Sequence, residues 1–158
     1  MKRHALATAV ATTLALLAPA AWAADTARAE SPDLSSSTLR LDQGRKWPTD
    51  EPLRRYMGEI RDTLALQRST ILARNLMPEE AVPIGATIEG RVAAILTDCS
   101  LAPQAAHNLH LVVADLVQAA DILQGRVRGS PMQGAAMAMR AVQMYATYFD
   151  HPNWKPVL

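Results

Sequence analysis

The sequence predicts an all-α fold: an antiparallel up-down-up-down four-helix bundle preceded by a signal peptide and a disordered linker. Three observations carry this expectation. Apolar residues recur in steps of three and four through four separate stretches, the spacing that lines one face of a helix. Proline, glycine and capping residues punctuate the chain between those stretches, and short connections force sequential helices to be neighbours. No stretch alternates apolar and polar residues with period two, and aromatics make up only 4% of the chain, a composition that disfavours a sheet.

The first element is the leader. Met1-Lys2-Arg3-His4 is basic, Ala5 to Leu17 is an uncharged apolar run, and Ala21-Trp22-Ala23 supplies the small residues of a cleavage point before Ala24. This is the pattern of a secretory signal peptide over residues 1–23, and it predicts export to the periplasm. The apolar run is too short for a span of roughly 20 residues, and no later stretch reads as a membrane span. Residues 24–45, rich in Ser, Thr, Asp and Ala, read as a disordered linker, and 46–158 as the bundle. The chain carries 16 basic and 15 acidic residues; loss of Lys2 and Arg3 with the leader leaves 14 against 15, a net charge of −1. That balance gives no electrostatic basis for binding nucleic acid or an anionic membrane surface.

Helix one is expected from Asp50 to Asn75, with Thr49 as cap, acids in the first turn and Pro52 at a position that tolerates it. Its stripe is Leu53, Met57, Ile60, Leu64 and Ile71, interrupted by Gln67. Met77 to Pro83 connects, with one extra turn over Glu79 to Val82, and helix two follows from Ile84 with the stripe Ile88, Val92, Ile95 and Cys99. Gly85 and Gly90 each cost helix propensity of about 1 kcal/mol against Ala, which a close helix approach would explain. Pro103 opens helix three, with Ala106, Leu109, Val113, Leu116, Ala120 and Leu123 inward and Gly125 as the stop. Gly129-Ser130-Pro131 opens helix four, with Met132, Ala135, Met139, Val142, Ala146 and Phe149 inward, and Asp150-His151-Pro152 ends it.

Topology gathers the unusual side chains at one end: Trp47, Asp50, Met57, Cys99, His107, His110, Tyr145, Tyr148, His151 and Trp154. Cys99 is the single cysteine, so no internal disulfide forms. Cys99, His107 and His110 are the candidate metal ligands, because thiolate and imidazole suit a soft or borderline ion, copper or zinc. His110 borders the apolar stripe; His107 is expected to point outward. Each residue also has an ordinary role open to it: Cys99 as a small buried hydrophobe, the methionines as core filler, His110 as a boundary residue, Trp47 and Trp154 as an aromatic lid. No serine-nucleophile motif, phosphate loop or Cys-x-x-Cys-His haem attachment is present, and Cys99 with His107 lacks a third orienting group, so the chain is not expected to be an enzyme.

Two resemblances follow from these stretches. Lys46-Trp47-Pro48-Thr49-Asp50-Glu51-Pro52-Leu53 and Tyr148-Phe149-Asp150-His151-Pro152-Asn153-Trp154, with Cys99 and His110 between them, resemble small exported bacterial proteins labelled DnrO-like. That resemblance implies export and no particular activity. The bundle architecture, with Met57 early in the first helix and His151 just after the last, is similar to the soluble periplasmic b-type cytochromes. It implies haem b as cofactor, held by Met57 with His151, or with His110 as a substitute, and electron transfer as the function. The expectations are therefore a periplasmic binding protein holding an ion at Cys99 and His110, a haem b electron carrier, or a structural or partner-binding bundle without cofactor.

Overall fold

The structure is a computed structural model and describes residues 38–157. Five helices and no strand occur among them: α1 (Glu51–Leu66), α2 (Arg68–Leu72), α3 (Pro78–Asp98), α4 (Pro103–Leu123) and α5 (Pro131–Tyr148). The expected signal peptide over 1–23 and the linker up to residue 37 lie outside the described residues. No described helix is long and apolar enough to cross a membrane.

Helix α1 is capped by Asp50, not Thr49: the Asp50 Oδ1 accepts the Leu53 N–H at 2.9 Å. Thr49 is drawn away, its hydroxyl donating to the Asp150 carbonyl at 2.5 Å. The expected single helix to Asn75 breaks at Gln67. A polar residue stands there where the stripe requires an apolar one; Leu66 and Leu72 on either side of the break are exposed and Ile71 is buried. Helix α3 begins at Pro78, ahead of the expected Ile84. Pro83 lies inside this helix, where it forgoes the bond to Glu79 and crowds that carbonyl, yet the helix runs on through it. The start is secured by the Met77 N–H donating to Glu80 Oε2 at 3.0 Å and by burial of Ala81 and Ile84.

Contacts between helix ends set the direction of each neighbour. The Ser100 N–H after α3 donates to Asp50 Oδ2 before α1 at 2.7 Å. Trp47 and Asp150 join the start of α1 to the end of α5 through Trp47 N to Tyr148 O and Asp150 N to Trp47 O, both 2.8 Å. At the other end the starts of α3 and α5 both lie on the end of α4. A Cβ on Gly85 would stand 2.9 Å from the Ala120 carbonyl oxygen and 2.7 Å from Gln124 Cγ, and one on Gly134 would stand 2.8 Å from Leu123 Cγ. Gly90 faces open space, so the close approach expected of both helix-two glycines belongs to Gly85 alone. Gly85→Ala is accordingly expected to lower stability by about 1–3 kcal/mol through overpacking, despite its gain in helix propensity, whereas Gly90→Ala should raise it by up to about 1 kcal/mol; thermal melts of the two variants check the opposite signs.

The shared core contains Leu53, Met57, Ile60 and Leu64 of α1, Ile88 and Ile95 of α3, Val112, Leu116 and Leu123 of α4, and Val142 and Tyr145 of α5, with Phe149 beyond it. The buried line of α5 runs Gly134, Ala135, Ala138, Ala141, Val142, Tyr145, rotated from the expected one; Met132, Met139 and Ala146 are only half-buried. Small residues on that line let α5 lie close on α4, as the Gly134 approach shows, and this displaces the larger methionines toward the rim. Residues 39–45, placed by composition in the linker, pack on α4: the Arg40 N–H donates to Asn108 Oδ1 at 2.8 Å, and the Trp47 indole N–H donates to the Arg40 carbonyl at 2.6 Å. Asn108, a buried polar residue, is thereby satisfied on both ends of its amide, since Nδ2 donates to Gln104 O at 2.8 Å.

Candidate functional site

Asp50 organises the end of the molecule that the topology singles out. One carboxylate oxygen caps α1 and the other holds the Ser100 N–H, which fixes Cys99 at the C-terminus of α3. The thiol is half-buried and free. Burial above all, then the negative charge of Asp50 and a hydrogen bond to it, then Asp98, push the Cys99 thiol up to about 12. A thiol so placed stays protonated at neutral pH, and it is the thiolate that binds metals and attacks electrophiles. Asp98 itself accepts the Tyr56 hydroxyl, onto which Arg55 donates at 2.8 Å.

The structure brings Cys99 and His110 onto one small cavity of about 80 Å³, walled also by Ile95, Leu101, Ala106 and Leu109. His107 is not part of it. It faces a separate hollow between residues 40–43 and the start of α4, with Trp47 and Asn108 as neighbours. Both histidines are exposed. Among the described residues no three His, Cys, Asp or Glu side chains are grouped to hold a metal ion, so the pair offers one protonated thiol and one imidazole, short of the four donors of a structural zinc site. Met57 is fully buried in the core and walls neither of these cavities. His151 is committed elsewhere, with Nδ1 at 3.0 Å from the Tyr145 hydroxyl oxygen. None of the cavities described is lined by Met57 together with a histidine, and the residues present do not fit a haem.

His151 belongs to an aromatic cluster that pins the C-terminal tail. Tyr145 stacks on Phe149 at 5.3 Å between ring centroids and meets Trp154 edge-on at 5.2 Å. His151 lies edge-on to Trp154 at 4.7 Å, and the Arg61 guanidinium of α1 stands over the Trp154 ring at 5.7 Å. Burial, and then the positive charges of Arg54 and Arg61, lower the His151 pKa from its ordinary value, with Asp150 opposing them. The fold therefore favours the neutral imidazole. Asn153 turns the chain with φ of +60°, and Val157 is buried again.

The returning tail and α5 border a half-open cavity of about 320 Å³, walled by Ala136, Met139, Arg140, Val142 and Gln143 of α5 and by Trp154 and Val157 of the tail. The spacing of Ala136, Met139, Arg140 and Gln143 puts them on one helix face. The signal that could have found this site in the sequence is small: apolar Trp154 and Val157 continuing past the helix-stopping Pro152, beside methionines that are surplus to the core of α5.

No protein-family model, curated protein or solved structure matches this chain.

Proposed function

We propose that this chain is an exported, periplasmic binding protein, an up-down-up-down four-helix bundle that holds a small apolar molecule between α5 and the C-terminal tail and catalyses no reaction on it. The observation that carries the reading is the cavity of about 320 Å³ under Trp154 and Val157. Its size lies at the lower end of small-molecule sites, and such sites are mainly apolar with few polar groups. The tail that forms one wall is held by ring contacts and burial, so the site is preformed and little ordering cost falls on the ligand. Support for export is the residue pattern over 1–23.

The test uses a neutral fluorophore, N-phenyl-1-naphthylamine, which brightens on leaving water. Saturable one-to-one binding to the parent is expected, and Ala136→Trp should abolish it by filling the cavity. Ala136 is exposed, so the substitution leaves the core intact and the melting temperature should move little. Binding unchanged by Ala136→Trp would overturn the assignment. A second reading, an ion on Cys99 and His110, draws on the cavity those two share. A rise in melting temperature with Cu(I) or Zn(II), lost in both Cys99→Ser and His110→Ala, would establish it in place of the first.

A further inference from the structure

The tail pocket has one feature that a site for a neutral hydrocarbon does not need, a cation in its wall. Arg140 is the single charged residue of α5. It is exposed, and it takes part in none of the ion pairs among the described residues, whereas Arg61, which stands over the Trp154 ring, is paired with Asp62 at 3.0 Å. Gln143, one turn on, adds an amide to the same wall. The remaining wall is apolar: Met139 and Val142 from the helix, Trp154 and Val157 from the tail. An unpartnered guanidinium at the rim of an apolar cavity is a fixed fork of donors matched to a carboxylate, and the flexible Met139 thioether adapts to an alkyl chain.

We infer that the ligand of this pocket is a medium-chain carboxylate, its alkyl chain against Met139, Val142, Trp154 and Val157 and its carboxylate on Arg140, with the Gln143 amide as a second donor. The inference rests on the pocket reading above and adds the chemical class of the ligand. Arg140 acts on the head group alone, so its contribution separates from that of the apolar walls.

The experiment is competition of decanoate and of decanol against N-phenyl-1-naphthylamine, on the parent, Arg140→Gln and Arg140→Lys, at low ionic strength. Arg140→Gln should weaken decanoate roughly fivefold, the scale of an exposed charge-assisted pair, and leave decanol within about twofold of the parent on the same scale. Arg140→Lys should recover part of the loss, because a point charge remains without the fork. Added salt should weaken decanoate in the parent and hardly affect it in Arg140→Gln. Decanoate and decanol weakened equally by Arg140→Gln, or neither weakened, would overturn the head-group assignment while leaving the pocket in place. Failure of the fluorophore itself to bind the parent would overturn both, and the two failures are told apart by that control.

Discussion

Tyr145→Ala is expected to destabilise the fold by about 3–5 kcal/mol, the range of a large aromatic truncated in a core. The side chain is fully buried and stands at the meeting point of Phe149, His151 and Trp154. Its loss leaves a cavity and also removes the surface on which the tail rests, so the wall of the α5 pocket should loosen with it. Tyr145→Phe separates the two contributions. It keeps the ring and deletes only the hydroxyl that meets His151 Nδ1, for a cost of about 1 kcal/mol. Urea unfolding of both variants measures the difference, and fluorophore affinity reports the tail: Tyr145→Ala should weaken it, and Tyr145→Phe should hardly change it. Equal destabilisation by the two substitutions would mean that the hydroxyl contact, not ring packing, holds this end together.

Much of the helical layout is legible because periodicity reports burial directly. Leu53, Met57, Ile60 and Leu64 fall on one stripe by spacing and are fully buried, and Gln67, which interrupts that stripe, marks the break between α1 and α2. Pro103, Ser130-Pro131 and Gly125 stand at the helix boundaries their chemistry requires. Where the structure departs from the spacing, the causes are physical. Pro83 reads as a helix breaker, yet α3 runs through it, and burial of Ala81 and Ile84 on either side offsets the lost bond and the crowded Glu79 carbonyl. The expected stripe of α5 holds at Ala135, Val142 and Phe149, whereas close packing on α4 buries Gly134, Ala138 and Ala141 and leaves Met132, Met139 and Ala146 half-buried.

The candidate site is less legible because function here depends on what a side chain faces. Topology pairs Cys99 with His110, and the two share a cavity. That Asp50 and Asp98 surround the thiol with negative charge depends on the rotation of helix ends, which periodicity does not give. His107 and His110 lie three residues apart, yet they face different hollows, because residues 40–43 fold back over the start of α4 and claim the His107 side. His151 reads as a stop signal or a ligand, and its partner turns out to be the hydroxyl of Tyr145, six residues earlier. The tail pocket needs the return of Trp154 and Val157 onto α5, a long-range event that follows a turn at Asn153 and carries no periodic signal.

Asp50→Ala is expected to cost about 2–3 kcal/mol, from the lost helix cap and from the Ser100 N–H deprived of a charged acceptor. Asp50 joins α1 to the end of α3 through these two bonds, so the loss falls on both helices at once. Asp50→Asn keeps an acceptor for the Leu53 N–H and should cost less than half as much. The two variants share a second effect, on Cys99. The fold raises the thiol from its ordinary 9.0 to about 12, so the protonated form is the one it favours. The stability this represents is present in full below pH 9 and is lost as the pH rises from there toward 12, where the unfolded chain ionises first. Removing the Asp50 charge lowers the folded-state value, though burial, the largest cause, remains with Asp98. Both variants should therefore lose less stability between pH 9 and 11 than the parent does. Labelling of native protein with a maleimide at pH 8 should be slow in the parent and faster in both variants, because the thiolate fraction sets the rate. Asp50→Asn is the decisive case, since its fold is least disturbed: a labelling rate equal to the parent's would show that the Asp50 charge does not hold the thiol protonated.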